Sequence, residues 1–493
     1  MTDLQPIVSY SSECTVTASL LRHAAATPDR VAFICGSLQL TYAQAASAAG
    51  GIAARLLDAG VRPGDRVCIP TDRPVHHLIG VIGTLWIGAI AVPLPADQLS
   101  SEAVTADCEP AIVLKDLELQ TGADHSNPPL YQPQPHELAM FLYTSGTTSG
   151  VRKGVMQSYL QLHNTVHYIT AVMKMDPAVR EYIASPVDTA FWYGRCRCVI
   201  HVGGTSVLAT GRLNPHAIVG AVDRHELNAI SGDTPIFLLL LHHLRVHLTR
   251  IGPQLRWVKI ASAPLNVADK REILAICPNA QVVFNYGLTE AMRTCLNPLK
   301  DNPEKLESVG RPSPSVEVCI ADTTGQPVEA GEIGEVLIRG GNLASGYWKK
   351  DEMWRSRFYG DWYRSGDLGF LDEDGFVFLK GRIDHAINSG GKTIALAEVE
   401  ARLRPFFTKS TFAVCGMNDP KGVLGDVVVL GIEGAWQEPL PWNELRMKMF
   451  DSVEPTMVPV AAFVVPELPR TANQKVQLNK LREAIEAGSY GAL

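Results

Sequence analysis

The chain has 493 residues, too many for one ordinary core, and its length suggests two to four domains. Hydrophobic residues make up 46% and charged residues 19%, the balance of a globular protein in water. A net charge of −7 leaves no basic face for a phosphate backbone, so no nucleic-acid partner is expected.

The start, "MTDLQPIVSYSSECTV", has neither a basic nor an apolar leader region, so no secretory signal is expected. "LTYAQAASAAGGIAARLLDAG" (40–60) carries apolar residues at helical spacing and stops at Gly60. "DRVCIP" (65–70) reads as a short strand. "HLIGVIGTLWIGAIAVPL" (77–94) reads as a buried helix running into a strand. Further strands are expected at "TSVLAT" (205–210), "NAIS" (228–231), "WVKIAS" (257–262) and "QVVFNYG" (281–287). Alternation of this kind predicts an α/β fold with a largely parallel sheet.

No apolar run reaches the roughly 18 residues of a bilayer span. The nearest, "IFLLLLHHL" (236–244), ends on its own histidines, so no membrane partner is expected. The ten cysteines are scattered, and the lone pair in "CRC" (196–198) is poor zinc evidence. Buried free thiols in a reducing cytoplasm are the expectation.

After about Asn302 the texture changes to short strands broken by Gly, Pro and Asp-Thr-Thr-Gly turns, a small β-rich subdomain. "GDWYRSGDLGFLDEDGFVFLKGRIDH" (360–385) predicts a hairpin turning at "DEDG". The polar, Gly-rich "KGRIDHAINSGGK" (380–392) marks the domain boundary. A large unit, 1–383, is expected before it and a small α/β unit, 384–493, after it. The small unit should hold a helix near 396–407, strands at "STFAVCG" and "DVVVLGI", and a final helix at "NKLREAIEAG".

"YTSGTTSGVRKG" (143–154) packs Gly, Ser, Thr, Arg and Lys directly after an apolar strand pattern. It fails the register of a Walker loop, and no G-x-G-x-x-G fingerprint follows an early strand. Short hydroxyls, glycine N–H groups and Arg152 or Lys153 nonetheless suit a phosphate cradle. A solvated surface loop is the plain alternative.

The stretch resembles the phosphate loop of the adenylate-forming superfamily: acyl-CoA synthetases, peptide-synthetase adenylation domains and luciferase. Four further motifs resemble that family in order: "NYGLTEAM" (285–292), "WYRSGDLG" (362–369), "GRIDHAINSGGKTIALAEVE" (381–400) and "LPRTANQKVQLNKLRE" (468–483). The resemblance covers nearly the whole chain. It implies a large N-terminal domain of α/β sheet subdomains with a small β-rich subdomain, plus a small mobile C-terminal α+β domain. It implies a reaction in which a carboxylate and ATP give an acyl-adenylate, whose acyl group then passes to a thiol. Joining two anions makes charge neutralisation and alignment the main catalytic tasks.

By resemblance, Thr144, Ser145, Gly146, Thr147 and Thr148 with Arg152 would hold the departing phosphates. Glu290 would bind Mg²⁺, as a hard carboxylate suits; a helix-start acid is the plain alternative. Thr289 would donate to the α-phosphate, and Tyr286 beside Gly287 would stack on adenine; a core tyrosine at the strand end is the plain alternative. Asp367 would take the ribose hydroxyls and Arg382 would assist at ribose or phosphate; a turn acid and a surface ion pair are the plain alternatives. Lys475 would bridge carboxylate and α-phosphate as a mobile point charge. Asp384 would be the hinge about which the small domain rotates. Gly390 and Gly391 would line a pantetheine tunnel, where bare backbone permits close approach.

Some positions depart from the family. Ser149, Val151 and Arg152 stand where Gly, Pro and Lys are usual, Leu396 where Pro is usual, and Gln474 where Gly is usual. Thr189 stands where acyl-CoA synthetases carry a gating histidine, and Asp188 falls early for an ammonium-binding acid. The acid pocket is expected from 188–195 with Asp233, Ser262, Ala263 and Asn285. Phe191, Trp192 and Tyr193 suggest a flat acid there, or else are core aromatics; Arg195 would meet a second anion, or else be a surface charge.

The expected activity is a stand-alone acid–thiol ligase that uses ATP and Mg²⁺, with CoA as acceptor. The phosphopantetheine arm of a separate acyl carrier protein, a non-thiol acceptor, and an inactive nucleotide-binding homologue are the alternatives.

Overall fold

The computed structural model describes residues 9–99, 106–115, 117–120, 127–144, 153–209, 214–389, 392–419, 421–422, 424–470 and 476–493. Contacts divide the chain into two compact units. The first comprises Met1–Val318, Ile338–Tyr363 and Gly375–Val377; the second comprises Cys319–Leu337, Arg364–Asp374 and Phe378–Leu493.

The first unit is built on two sheets. The nine-stranded sheet runs, in spatial order, Arg311–Pro312, Cys295–Pro298, Gln281–Tyr286, Trp257–Ala261, Ala229–Asp233, Arg180–Ala184, Thr205–Leu208, Val31–Cys35 and Leu38–Thr41. Its centre is parallel, from Gln281–Tyr286 through to Val31–Cys35. Central strands such as Trp257–Ala261 are buried at every residue, as expected where both faces are covered. The six-stranded sheet runs Gly346–Tyr347, Lys153–Ser158, Leu138–Thr144, Ile90–Leu94, Arg66–Pro70 and Ile112–Val113.

Local sequence explains the helices beside these sheets. Thr41 and Gln44 form a reciprocal capping box that starts helix Tyr42–Asp58, satisfying two donors at once. Helix Pro74–Trp86 begins on proline, whose missing N–H is no loss in a first turn. The two helices pack through small residues. A Cβ on Gly83 would sit 2.8 Å from both the Ala49 carbonyl oxygen and the Ile52 Cβ, so only glycine allows this approach. The large apolar cluster of the unit centres here, on Ala45, Ile52, Ile79, Leu85 and Trp86.

The second unit holds a four-stranded sheet, Phe412–Asn418, Asp426–Glu433, Ala461–Val465 and Gly491–Ala492, and the hairpin Ala386–Ser389 with Lys392–Ala395. Helix Leu396–Leu403 and helix Trp442–Met449 cover one face through Val399, Leu403, Leu445 and Met449. Helix Leu478–Glu486 covers the other through Leu481 and Ile485. A five-stranded sheet carries the chain from one unit to the other: Val316–Ala321, Gly334–Gly340, Trp362–Leu371 and Phe358–Tyr359, with Val377–Arg382 beside Trp362–Leu371.

Candidate active site

In a parallel sheet the carboxyl ends of the strands leave backbone and side chains free to meet ligands. Three neighbouring strands of the nine-stranded sheet end at Ala184, Asp233 and Ala261, with Gly232 opposite Ala184 and Asp233 opposite Ala261. Asp233 gathers the residues that follow: its Oδ1 accepts from Ser185 Oγ at 3.2 Å and Ser262 Oγ at 2.8 Å. Ser262 is held at φ +79°, a left-handed conformation uncommon outside glycine. Thr234 Oγ1 donates to the Ala263 carbonyl at 2.8 Å and closes this turn. Asp233, Ser262 and Ala263 therefore meet at one edge.

Thr189 caps helix Ala190–Val202, accepting from Trp192 N at 3.2 Å, and the exposed Asp188 directly precedes that cap. Trp192 and Tyr193 are packed in the large apolar cluster, the core alternative that the sequence left open. The Tyr193 hydroxyl is bonded to His77 Nε2, and His77 Nδ1 to the Pro70 carbonyl at 2.7 Å. Arg195 is not a surface charge: it is 1% exposed and paired through two nitrogens with Glu181, itself 1% exposed.

The next strand, Gln281–Tyr286, brings Asn285 and Tyr286 to the same edge, both buried. The Asn285 Oδ1 has no partner among the described residues. Gly287 opens the tight loop beyond, where a Cβ would lie 2.6 Å from the Arg293 amide nitrogen. Leu288 and Ala291 bond each other's backbone across that loop. Thr289 and Glu290 at its tip are half-buried.

Glu290 is held in place. Its Oε1 accepts from the Tyr347 hydroxyl at 2.7 Å, and its carbonyl accepts from Ala344 N at 2.8 Å. Burial first, then the Glu290 charge, push the Tyr347 hydroxyl far above its usual range, so it stays a donor. The other carboxylate oxygen has no partner among the described residues. A carboxylate oriented on one side and open on the other fits a hard divalent cation. Lys153 Nζ stands 5.0 Å from the centre of the Tyr347 ring. Of the two basic residues in "SGVRKG", Lys153 is the one the structure describes, opposite Thr144 on the paired strand.

A second constellation lies wholly in the second unit. Arg382 Nη1 donates to Asp367 Oδ1 at 3.2 Å and to the Ser365 carbonyl at 3.1 Å; its Nε reaches Asp384 Oδ1 at 3.2 Å. Asp367 is buried while Asp384 is exposed. Glu335 braces the turn before Asp367, accepting from Gly366 N at 3.1 Å and Arg364 Nε at 2.9 Å. Gly366 there has φ +75°, which an L side chain would resist. Sequence reasoning missed Tyr347 and Glu335, since neither carries a local signal.

The expectations on Ser145, Gly146, Thr147, Thr148, Arg152, Gly390, Gly391 and Lys475, and on the Thr144 side chain, lie outside the described residues.

The profile of one family, AMP-binding enzyme, matches residues 20–348, about two thirds of the chain. The chain belongs to the AMP-binding enzyme family. It is thus an adenylate-forming enzyme, an AMP-forming ligase of the acyl-CoA synthetase type. Feruloyl-CoA synthase of an Amycolatopsis species is 28% identical, covering 94% of this chain and 97% of that one. The 2-succinylbenzoate–CoA ligase of Bacillus velezensis matches equally, at 28% over the same shares. Among solved structures, o-succinylbenzoate CoA synthetase of Bacillus subtilis, in complex with the acyl-adenylate OSB-AMP, has a TM-score of 0.81 at 26% identity. That match covers 94% of this chain and 97% of the other. ATP-bound MatB of Rhodopseudomonas palustris has a TM-score of 0.85 at 23% identity, over 97% and 99%, and supports the α/β fold of the AMP-binding enzymes.

Proposed function

We propose that this ligase activates a carboxylic acid with ATP, forming an acyl-adenylate and pyrophosphate, and then passes the acyl group to the thiol of CoA. The observation that carries the reading is Glu290, oriented by Tyr347 at the carboxyl edge with one oxygen open. Mg²⁺ bound to such a carboxylate would neutralise phosphate charge as pyrophosphate leaves.

The chain's own residues divide the remaining work. Thr289 donates to the α-phosphate and Tyr286 packs against adenine beside Gly287. The segment Thr144–Thr148, with Arg152 and Lys153, neutralises the leaving phosphates. Asp367, steadied by Arg382, receives the ribose hydroxyls. Lys475 draws the carboxylate and the α-phosphate together. Asp384 is the hinge of a C-terminal domain beginning there, and Gly390 and Gly391 give the pantetheine arm room. The acid is received by Asp188, Asp233, Ser262, Ala263 and Asn285. Trp192 and Tyr193 stay behind this wall, as their packing supports.

A second reading hands the acyl group to the same arm on a separate carrier protein. It is favoured by a 28% identical segment that makes up only 9% of a far longer linear gramicidin synthase of Brevibacillus parabrevis.

Pyrophosphate exchange into ATP, screened over aryl, aliphatic, dicarboxylic and amino acids, tests the first half-reaction. Acyl-CoA detected by mass tests the second. Exchange that no acid supports would overturn the ligase reading; exchange without acyl-CoA would favour the carrier.

A further inference from the structure

Beneath the carboxyl edge the sheet face turns cationic. Lys259 lies two residues before Ala261 on the same strand, hence on the same face, opposite Ser231 on one neighbour and Val283 on the other. Val283 in turn lies two residues before Asn285. Lys259 and Ser231 thus form the layer directly below Asp233, Ala261 and Asn285, about 6–7 Å deeper along the strands.

Lys259 is 1% exposed, and neither its Nζ nor the Ser231 hydroxyl has a partner among the described residues. Arg293, 5% exposed, approaches from the loop after Glu290. Its two terminal nitrogens make only long contacts, 3.2–3.3 Å, to the Ala190 and Phe191 carbonyls, and they lie against Gly194. Arg197, 6% exposed, leaves Nε and Nη2 without partners among the described residues. The carboxylate of Glu181 is taken up by Arg195.

Lys259, Arg293 and Arg197 have no carboxylate partner among the described residues. Burial depresses all three, and neighbouring cations add to it for Lys259 and Arg293; Arg293 is pushed down to about 9 and Arg197 to about 10. A fold gains nothing from buried cations left uncompensated, and removing them is often stabilising. Lys259, one layer under the expected acid site and close enough to Arg293 to feel its charge, is placed to meet a ligand there.

We propose that the acid this enzyme activates carries a second carboxylate, received by Lys259 and Arg293 beneath the carboxyl edge of the sheet. This rests on the ligase reading above and names its substrate class. One carboxylate stays at the edge for adenylation. The other passes Asn285 and reaches the layer of Ser231 and Lys259, where the Ser231 hydroxyl adds a neutral donor. A site built to neutralise a buried anion rejects a neutral analogue strongly, because the cations are then left unpaired.

The test is pyrophosphate exchange by the full chain with oxalate, malonate, succinate, glutarate and phthalate, each against its own monomethyl ester. At least one diacid should exceed its ester in kcat/KM by about 100-fold, the scale of a desolvated charge pair. Lys259→Met should erase that preference, bringing the kcat/KM of the diacid and of its ester to within a few-fold of each other. Its thermal midpoint without ligand should equal or exceed the wild type's. Wild-type exchange with monoesters as fast as with diacids would overturn the proposal and leave the ligase reading standing. A lower midpoint for Lys259→Met would make the lysine a structural residue and overturn it too. Exchange with no acid at all would bring down both.

Discussion

At the scale of single residues, what decides chemistry is how a group is held. Glu290 is legible as a motif acid, but its orientation comes from Tyr347, 57 positions away. Tyr347→Phe keeps the ring and loses one bond to an ionised acceptor, worth about 1.5–3 kcal/mol. Adenylation should slow about tenfold or more at limiting Mg²⁺, as that energy implies, and recover as Mg²⁺ is raised, with the unfolding midpoint little changed. A Mg²⁺ titration of the adenylation rate checks this, and an unaltered metal response would detach Tyr347 from the metal. Lys475→Ala, in turn, should abolish acyl-AMP formation by roughly 10²–10³-fold or more, as losing a transition-state charge does. Thioester formation from supplied acyl-AMP should survive. Equal loss in both half-reactions would refute the single role given to Lys475.

At the scale of elements, helix Ala190–Val202 shows what patterning reveals and what it hides. Helices 40–60 and 77–86 and the strands at 65–70, 257–262 and 281–287 were legible because apolar spacing and Gly or Pro punctuation agreed locally. Strand Ala461–Val465 was not, being a short segment paired with Asp426–Glu433, and neither was the first hairpin, Val31–Cys35 with Leu38–Thr41, whose first strand takes its place in the sheet beside the distant Thr205–Leu208. Site motifs were legible one by one, yet "FWYGRCRC" offered no way to tell pocket from core. Three-dimensional packing answers that: Trp192 and Tyr193 face the apolar cluster and Arg195 faces Glu181. Glu181→Gln removes the partner of a fully buried guanidinium and should cost about 3–5 kcal/mol. The pair Glu181→Leu with Arg195→Met should recover most of that. Urea unfolding of both variants measures it, and a Glu181→Gln loss below about 1 kcal/mol, the scale of an exposed pair, would show that the ion pair is not desolvated.

At the scale of the whole molecule, the two units carry different acid sensitivities. In the first unit, burial lowers His77, His167 and His201 to about 4, with neighbouring histidines adding to the effect on the last two. The unfolded chain takes up these protons near pH 6.5, before the folded chain does, so stability falls as pH drops from about 6.5 to about 4. In the second unit, burial would raise Glu438, but bonds from the Lys409, Ser410 and Thr408 amides and the Thr408 hydroxyl outweigh it and hold the acid near 2. That contribution is complete above about 4.5 and is lost only as pH falls towards 2. Acidification should therefore loosen the first unit before the second. Pulsed hydrogen exchange read by mass spectrometry, segment by segment from pH 7 to 3, checks the order, and simultaneous loosening of both units above pH 5 would contradict it.

The placement of Val31–Cys35 beside Thr205–Leu208 also sets a timetable for synthesis. The hairpin leaves the ribosome about 170 residues before the strand that covers its inner edge. At about 5–20 residues per second, that edge waits on the order of 10–30 s. Over that interval the nascent chain shows the surroundings one open edge of a strand of Val, Ala, Phe, Ile and Cys, a natural client for whatever shields emerging polypeptides from one another.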